Sequence, residues 1–306
     1  MGIRTVMNFD ELEYIAEKFN LVLESYEETS DGISDTTYIL RDINKKKYIL
    51  KVYENKSLYT IEAEIKLLNR ISILKQVPKP YGNVKDIIDY KNKFVFLFSY
   101  IDGESVQIAN SNQIAQVAKF LGNMHQLTNK QKTYLQNLYS KNNLLKMISN
   151  IRINFLDESF VFKNMFDSLS CINIEDNYII HGDLFPDNAK FEDNRLTGVF
   201  DFIENCNGDH RFDLAVIGIS WIDYNDFNQT KIQRILTDSL LATYNEIAKD
   251  KVSYSDLINF MLYASLFYAT QRFHTKYIEQ RGVDVKDYNE YIEKFNLILK
   301  LKEEIL

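Results

Sequence analysis

Cysteine is nearly missing from this chain of 306 residues: Cys171 and Cys206 are the only two. They are too few and too far apart for a zinc ribbon or a redox pair, and such usage is expected of a reducing compartment. Proline and glycine are also scarce, at 3 and 10. With 45% hydrophobic and 26% charged residues, the composition excludes a collagen-like chain, a disordered one and a disulfide scaffold. No apolar run reaches the ~18 residues of a membrane span. The start, Met1 to Val6, has no signal-peptide apolar core, and Val6 stands where myristoylation wants Ser or Thr. A cytoplasmic protein without a membrane partner is expected. Positive charge is in deficit too: 36 basic against 43 acidic residues leave a net charge of −7. That field repels phosphate backbones, so nucleic acid is not an expected partner.

The length suggests two domains or lobes. Phe9, Leu12, Ile15, Ala16 and Phe19 recur at helical spacing and predict a first amphipathic helix over 9–19. Thr36–Arg41 and Lys47–Tyr53 read as a hairpin around a polar turn, in which the run Lys45 to Lys47 is a solvated face. Ile61, Ile65, Leu68, Ile71 and Leu74 predict a helix packed on that hairpin and ended by Pro78 and Pro80. Lys93–Ser99, nearly all apolar, reads as the central strand of a small sheet. Beyond residue 110 the pattern is helical, with Ser111 as an N-cap; the exception is 178–202, where two short apolar runs flank polar loops expected to carry chemistry.

One of those loops is the most informative segment. His181-Gly182-Asp183-Leu184-Phe185-Pro186-Asp187-Asn188 has the His-x-Asp-x-x-x-x-Asn spacing of a kinase catalytic loop, followed by Val199-Phe200-Asp201-Phe202. Phosphoryl transfer to a hydroxyl needs a carboxylate to orient the nucleophile and take its proton, a role open to Asp183. Mg²⁺ on ATP phosphates needs hard oxygen ligands, which Asn188 and Asp201 supply. Any one of the three, taken alone, is an ordinary turn residue. Lys51 lies inside the apolar run Tyr48–Tyr53, where an unpaired ammonium is costly to bury, so it needs an anion. Glu62 or Glu64 can serve, and Glu64 shares a helix face with Leu68 and Ile71.

From Ser30 to about Arg281 the chain resembles the aminoglycoside phosphotransferase and choline kinase superfamily. The resemblance implies an α+β, protein-kinase-like two-lobe fold. Its small N-terminal lobe, residues 1–99, would hold nucleotide on an antiparallel sheet with a helix. Residues 100–103 would be the hinge, and 104–306 a larger, mostly α catalytic and acceptor-binding lobe. It implies ATP and Mg²⁺ as cofactors, Lys51 with Glu64 as the phosphate-binding ion pair, Asp183 as base, and Asn188 and Asp201 as metal ligands. Adenine would meet the backbone of Ser99 and Ile101. Asp213 looks like the family's brace of the catalytic loop, although a helix N-cap explains its spacing equally well. The phosphate-covering loop Ser30–Thr36 departs from the pattern in having a single glycine, and Ile203 follows Asp201-Phe202 where protein kinases have glycine.

Within the superfamily, 181–188, 196–202, Asp213-Leu214-Ala215-Val216 with Trp221, and Thr270-Gln271-Arg272-Phe273 look most like homoserine kinases. An amino-acid carboxylate would call for a guanidinium, with Arg272 or Arg211 available. A cationic aminoglycoside or choline-type acceptor would instead call for Glu204, Asp209, Trp221, Tyr224, Tyr263 or Tyr268. From another class, a nucleotide-binding pseudokinase is disfavoured because Lys51, Asp183, Asn188 and Asp201 are all present. A protein kinase is disfavoured because no Ala-Pro-Glu-like segment follows Asp201.

Overall fold

A computed structural model describes residues 4–29, 35–169, 172–222, 230–280 and 287–305. Most of the expected phosphate-covering loop, Cys171, Tyr224 and Arg281 lie outside these. The chain divides into two compact units, one of Met1–Glu104 with Lys190–Glu192 and Thr197–Ile203, the other of the remaining residues.

The first unit opens with α1 (Phe9–Lys18), whose N-cap Asn8 exchanges side-chain and backbone bonds with Glu11. Leu12, Ile15 and Ala16 are buried as its spacing requires. Phe9, placed on the same face by the sequence, is 37% exposed, and Phe19 lies past the helix end. Five antiparallel strands follow: β1 (Leu23–Glu28), β2 (Thr36–Asp42), β3 (Lys47–Tyr53), β4 (Ile88–Tyr90) and β5 (Lys93–Ser99), in the order β1-β2-β3-β5-β4. The central strand is therefore β3, and β5 lies one place out with β4 beyond it. Sequence reading missed both edge strands. β1 carries acidic residues along its exposed side, and β4 has three residues.

Strand alternation sorts the side chains of β3 onto two faces. Tyr48, Leu50 and Val52 join Leu12, Ile15, Leu40, Val95 and Leu97 in one apolar core. Each such buried aliphatic side chain contributes about 1.5–3 kcal/mol. Lys51 points the other way. Helix α2 (Leu58–Ile71), capped by Ser57, buries Ile61, Glu64, Ile65 and Leu68. It ends at Ile71; Leu74 falls in the following 3-10 turn, and Lys75 at φ +62° closes it, so Pro78 and Pro80 come too late to be the stop.

The second unit is mostly helical: α3 (Ser111–Thr128), α4 (Lys141–Asn154) and α5 (Leu156–Ser168) precede the short strand β6 (Tyr178–Ile180). The hairpin strands β7 (Ala189–Glu192) and β8 (Arg195–Val199) each contribute residues to both units. β9 (Cys206–Gly208) pairs antiparallel with β6, and α6 (His210–Ser220), α7 (Thr230–Ile247), α8 (Tyr254–Phe273) and α9 (Asn289–Ile305) follow. α8, flanked by α6 and α9, buries nearly every position from Leu257 to Thr270, as a helix apolar all round must. Two caps differ from expectation. Asn110, not Ser111, caps α3 through a box with Gln113, and Asp209, not Asp213, caps α6. The architecture is the expected α+β type, with a five-stranded antiparallel unit and a mainly helical one. Among the described residues no helix is long and apolar enough to cross a membrane.

Candidate active site

In the first unit the ammonium of Lys51 lies among three carboxylates. Its Nζ stands 2.9 Å from Asp201 Oδ1, 3.4 Å from Glu64 Oε1 and 3.9 Å from Asp35 Oδ2. Burial alone would lower the lysine's pKa, but Asp201, then Glu64 and Asp35, outweigh it and hold the group above the usual lysine range. Glu62, the other glutamate considered, faces away and pairs with Lys66. Glu64 is fixed from a second side by the Tyr53 hydroxyl, which donates to Oε2 at 2.7 Å. Its carboxyl is pushed up by burial and only partly restored by Lys51. Asp201 follows β8 in left-handed backbone, φ +60°, a conformation costly for a side chain other than glycine.

Residues 99–104, where a hinge was expected at 100–103, belong to the same unit. The Ser99 N–H donates to the Lys79 carbonyl at 2.9 Å, and the Lys79 N–H donates to Ser99 Oγ at 2.8 Å. The Ile101 carbonyl lies 3.4 Å from Lys190 Nζ. Glu104 and Phe191 exchange backbone bonds of 3.0 and 2.9 Å, and Thr197 Oγ1 donates to the Asp102 carbonyl. Gly103, at φ +116°, passes so close that a Cβ would meet the Phe191 carbonyl at 2.7 Å.

In the second unit the catalytic-type loop is held by its backbone. Asp213, fully buried on α6, accepts the N–H groups of His181 and Gly182 at 2.9 and 2.8 Å, together with His125 Nε2 at 2.9 Å. Burial would raise its pKa, but the His125 hydrogen bond and the other positive partners lower it below the usual carboxylate range. This is the brace geometry rather than a cap. His125 itself, on α3, is secured at Nδ1 by the Tyr244 hydroxyl, 2.9 Å away. Above that base, Asn188 Nδ2 donates to the Asp183 carbonyl at 2.7 Å and to its Oδ2 at 3.2 Å. The amide nitrogen is thus committed to Asp183, leaving the oxygen as the group to offer a cation. Gly182 adopts φ +81°, and a Cβ there would lie 2.4 Å from the Tyr139 ring.

Several aromatic residues proposed for a cationic acceptor turn out to support this loop. Trp221 Nε1 donates to the Leu184 carbonyl, Tyr268 to the Gly182 carbonyl and Tyr263 to the Tyr139 carbonyl, all within 2.7–2.8 Å and all buried. Burial first, and then the Asp183 charge, keep the Tyr268 hydroxyl protonated far above neutrality, so it remains a donor. Arg211 and Asp209, assigned by sequence to opposite kinds of acceptor, bond each other instead. Arg211 Nε and NH2 reach the two Asp209 oxygens at 2.9 and 2.6 Å, while the guanidinium lies over Phe260. Both are committed to structure. Arg272 pairs with Glu290 at 2.8 Å and stacks on Tyr291 at 4.3 Å. The Tyr291 hydroxyl is in turn raised mainly by burial, with Asp183 and Asp187 among its charged neighbours. Glu204 is half-buried, and its charge acts on Tyr139 and Tyr268. Sequence reading missed Tyr53, His125 and Tyr139, which look in one dimension like ordinary core positions.

Asn188 in the second unit carries an amide oxygen and Asp201 in the first a carboxylate, each by itself a hard donor of the kind Mg²⁺ takes. Among the described residues no three His, Cys, Asp or Glu side chains form a metal cluster. A metal held chiefly by phosphates and water needs no such cluster. Cys206 is buried and its thiol is pushed up to about 12, mainly by burial, which makes it a packing residue.

A family model described as the phosphotransferase enzyme family matches residues 25–143 and 173–246. A homoserine kinase of Polaromonas naphthalenivorans is 22% identical over 258 residues, 81% of each chain. One of Rhizobium meliloti is 23% identical over 251 residues, 78% of this chain and 76% of that one. Among solved structures, an amicoumacin kinase in complex with AMP-PNP, Ca²⁺ and Ami is similar at a TM-score of 0.67 and 15% identity, covering 97% of this chain and 94% of that one. A choline kinase of Streptococcus pneumoniae reaches 0.66 at 18% identity, covering 94% and 99%. At such identities the solved structures speak for the fold. The family match spans well over half of the sequence and includes Lys51, Asp183, Asn188, Asp201 and Asp213, so this chain belongs to the phosphotransferase enzyme family.

Proposed function

We propose that the protein is a cytoplasmic, ATP- and Mg²⁺-dependent kinase of a small-molecule hydroxyl, with homoserine the first acceptor to test. The observation that carries the kinase reading is Lys51 clasped by Glu64 and Asp201, a preformed cation for phosphate oxygens. In this reading residues 1–99 form the nucleotide lobe, 100–103 the hinge and 104–306 the catalytic and acceptor lobe. The Ser99 N–H is already bonded to Lys79, so adenine would use the Ser99 carbonyl and the Ile101 backbone. Asn188 and Asp201 would hold Mg²⁺, which when bound offsets charge on the transferred phosphoryl group. Asp183, kept in place by Asn188 and the braced loop, orients the acceptor hydroxyl and takes its proton.

The homoserine reading is supported by the curated relatives, which match over about four-fifths of the chain. Arg272 adds a guanidinium stacked on a tyrosine within the field of Asp183. A substrate carboxylate would exchange with Glu290 for it. A cationic acceptor is favoured by one observation, the half-buried Glu204 acting on the same two tyrosines that feel Asp183. Arg211 and Asp209 are not proposed, being bound to each other.

Purified protein with Mg²⁺ and ATP, assayed against homoserine, related amino alcohols, choline and aminoglycosides, decides between these readings. Homoserine-dependent ADP formation that loses acceptor affinity in Arg272→Ala supports the first. Activity confined to choline or aminoglycosides, damaged by Glu204→Gln and indifferent to Arg272→Ala, replaces it with the second.

A further inference from the structure

Asp35 entered the sequence reading only as a loop residue. It is 6% exposed, on the first unit beside Lys51. Its Oδ1 accepts the Glu54 N–H at 3.1 Å. Among the described residues its Oδ2 has no hydrogen-bond donor, and it lies 3.9 Å from Lys51 Nζ, beyond hydrogen-bond reach. Glu64 differs, since both of its oxygens are bonded. Burial pushes the Asp35 carboxyl up from its ordinary range; Lys51, the Glu54 N–H and Lys56 act against it, and Asp201 adds to it. Glu64, Asp201 and Asp35 thus set three carboxylates around the Lys51 ammonium, with Lys56 adding positive charge only at a distance from Asp35.

We propose that Asp35 is a specificity-determining residue that favours the metal-bound triphosphate over the metal-free one at Lys51. The proposal rests on the reading of Lys51 as the phosphate-binding lysine. A phosphate drawn to Lys51 must also approach a buried carboxylate oxygen without a donor of its own. Repulsion scales with the ligand's charge, and metal-free ATP carries about two more negative charges than its Mg²⁺ complex. Asp35 therefore penalises the free nucleotide more heavily, and the cation that arrives with the phosphates relieves the repulsion.

Asp35→Asn removes the charge while an amide oxygen still accepts the Glu54 N–H. Titration calorimetry of ATP in EDTA and of ATP in excess Mg²⁺, on the unaltered protein and on this variant, reads the effect. Metal-free ATP should bind about tenfold tighter to the variant, the scale of removing one charge within ~4–6 Å, while the Mg²⁺ complex gains less, so the preference ratio shrinks. An unchanged ratio, or equal loss for both ligands as a purely structural role would give, overturns the proposal. Should the variant fail to fold, Asp35→Ser, whose hydroxyl also accepts an N–H, takes its place under the same expectations. Lys51→Ala separates the two levels. If it weakens ATP while the Asp35 variants leave the ratio alone, only the role of Asp35 falls; if it leaves ATP binding intact, the reading of Lys51 falls and the proposal with it.

Discussion

The two candidate regions are built by opposite means. Around Lys51, charged side chains face one another, and the group that holds them together is an ammonium. Around Asp183, the chain is positioned from beneath through its backbone: Asp213 grips two consecutive N–H groups, while Tyr268 and Trp221 bond the carbonyls of Gly182 and Leu184. The first arrangement can exchange an internal carboxylate for a ligand's phosphate, since like chemistry replaces like. The second cannot exchange its partners without unfolding the loop, and so presents Asp183 in a fixed pose. Ligand capture suits the former and preorganised chemistry the latter.

This contrast can be broken in four ways, taken from the largest expected effect. Asp183→Asn should lower turnover by ~10²–10⁴, the range for removing a general base, and steady-state rates at saturating ATP report it. Asp213→Ala removes a buried carboxylate and leaves two backbone N–H groups and His125 without their acceptor. A loss of about 3–5 kcal/mol in denaturant unfolding is expected from these unmet buried donors, together with loss of activity. A loss within the range of a surface substitution would show that the loop does not depend on this brace.

The pH dependence of stability gives a third probe. His210, buried beside His125 and Tyr244, has its pKa lowered to about 4, chiefly by burial and then by the His125 charge. Its folded pKa lies below the unfolded value, so the unfolded chain binds the extra proton. The stabilisation is present above about pH 6.5 and is lost as pH falls towards 4, by ~3 kcal/mol. Asp213, also lowered, is protonated in the unfolded chain first and extends the loss below about pH 4. His210→Phe should flatten the slope between pH 4 and 6.5; an unchanged slope assigns it to other groups. The smallest effect is expected of Tyr268→Phe, which deletes one hydrogen bond to the loop and should cost about 1 kcal/mol of stability with a modest fall in turnover.

How much of this was legible in one dimension follows the same divide. Lys51 stood out because an ammonium inside an apolar strand demands a partner, and periodicity on α2 pointed to Glu64 ahead of Glu62. The loop 181–188 stood out by its spacing. Its supports did not, because Tyr139, Tyr263, Tyr268 and His125 occupy core positions where hydrophobicity already explains them. Arg211 and Asp209 misled for a related reason: two residues apart at the start of α6, they look like free charges until the cap geometry turns one onto the other. Asp35 was hidden inside the expected phosphate-covering loop Ser30–Thr36, where the single glycine was the feature that stood out. Edge strand β1 was hidden by its glutamates, which keep an edge from pairing further.

The most direct test of the division of labour is the affinity of Mg²⁺-ATP for two variants measured side by side by calorimetry. Asp183→Asn should retain the affinity of the unaltered protein within a few-fold, since its carboxylate acts on the acceptor hydroxyl. Lys51→Ala should weaken it at least about tenfold, by removing the cation that meets the phosphates. Full affinity in Lys51→Ala, or its collapse in Asp183→Asn alone, would contradict the assignment of nucleotide capture to the first unit and of chemistry to the second.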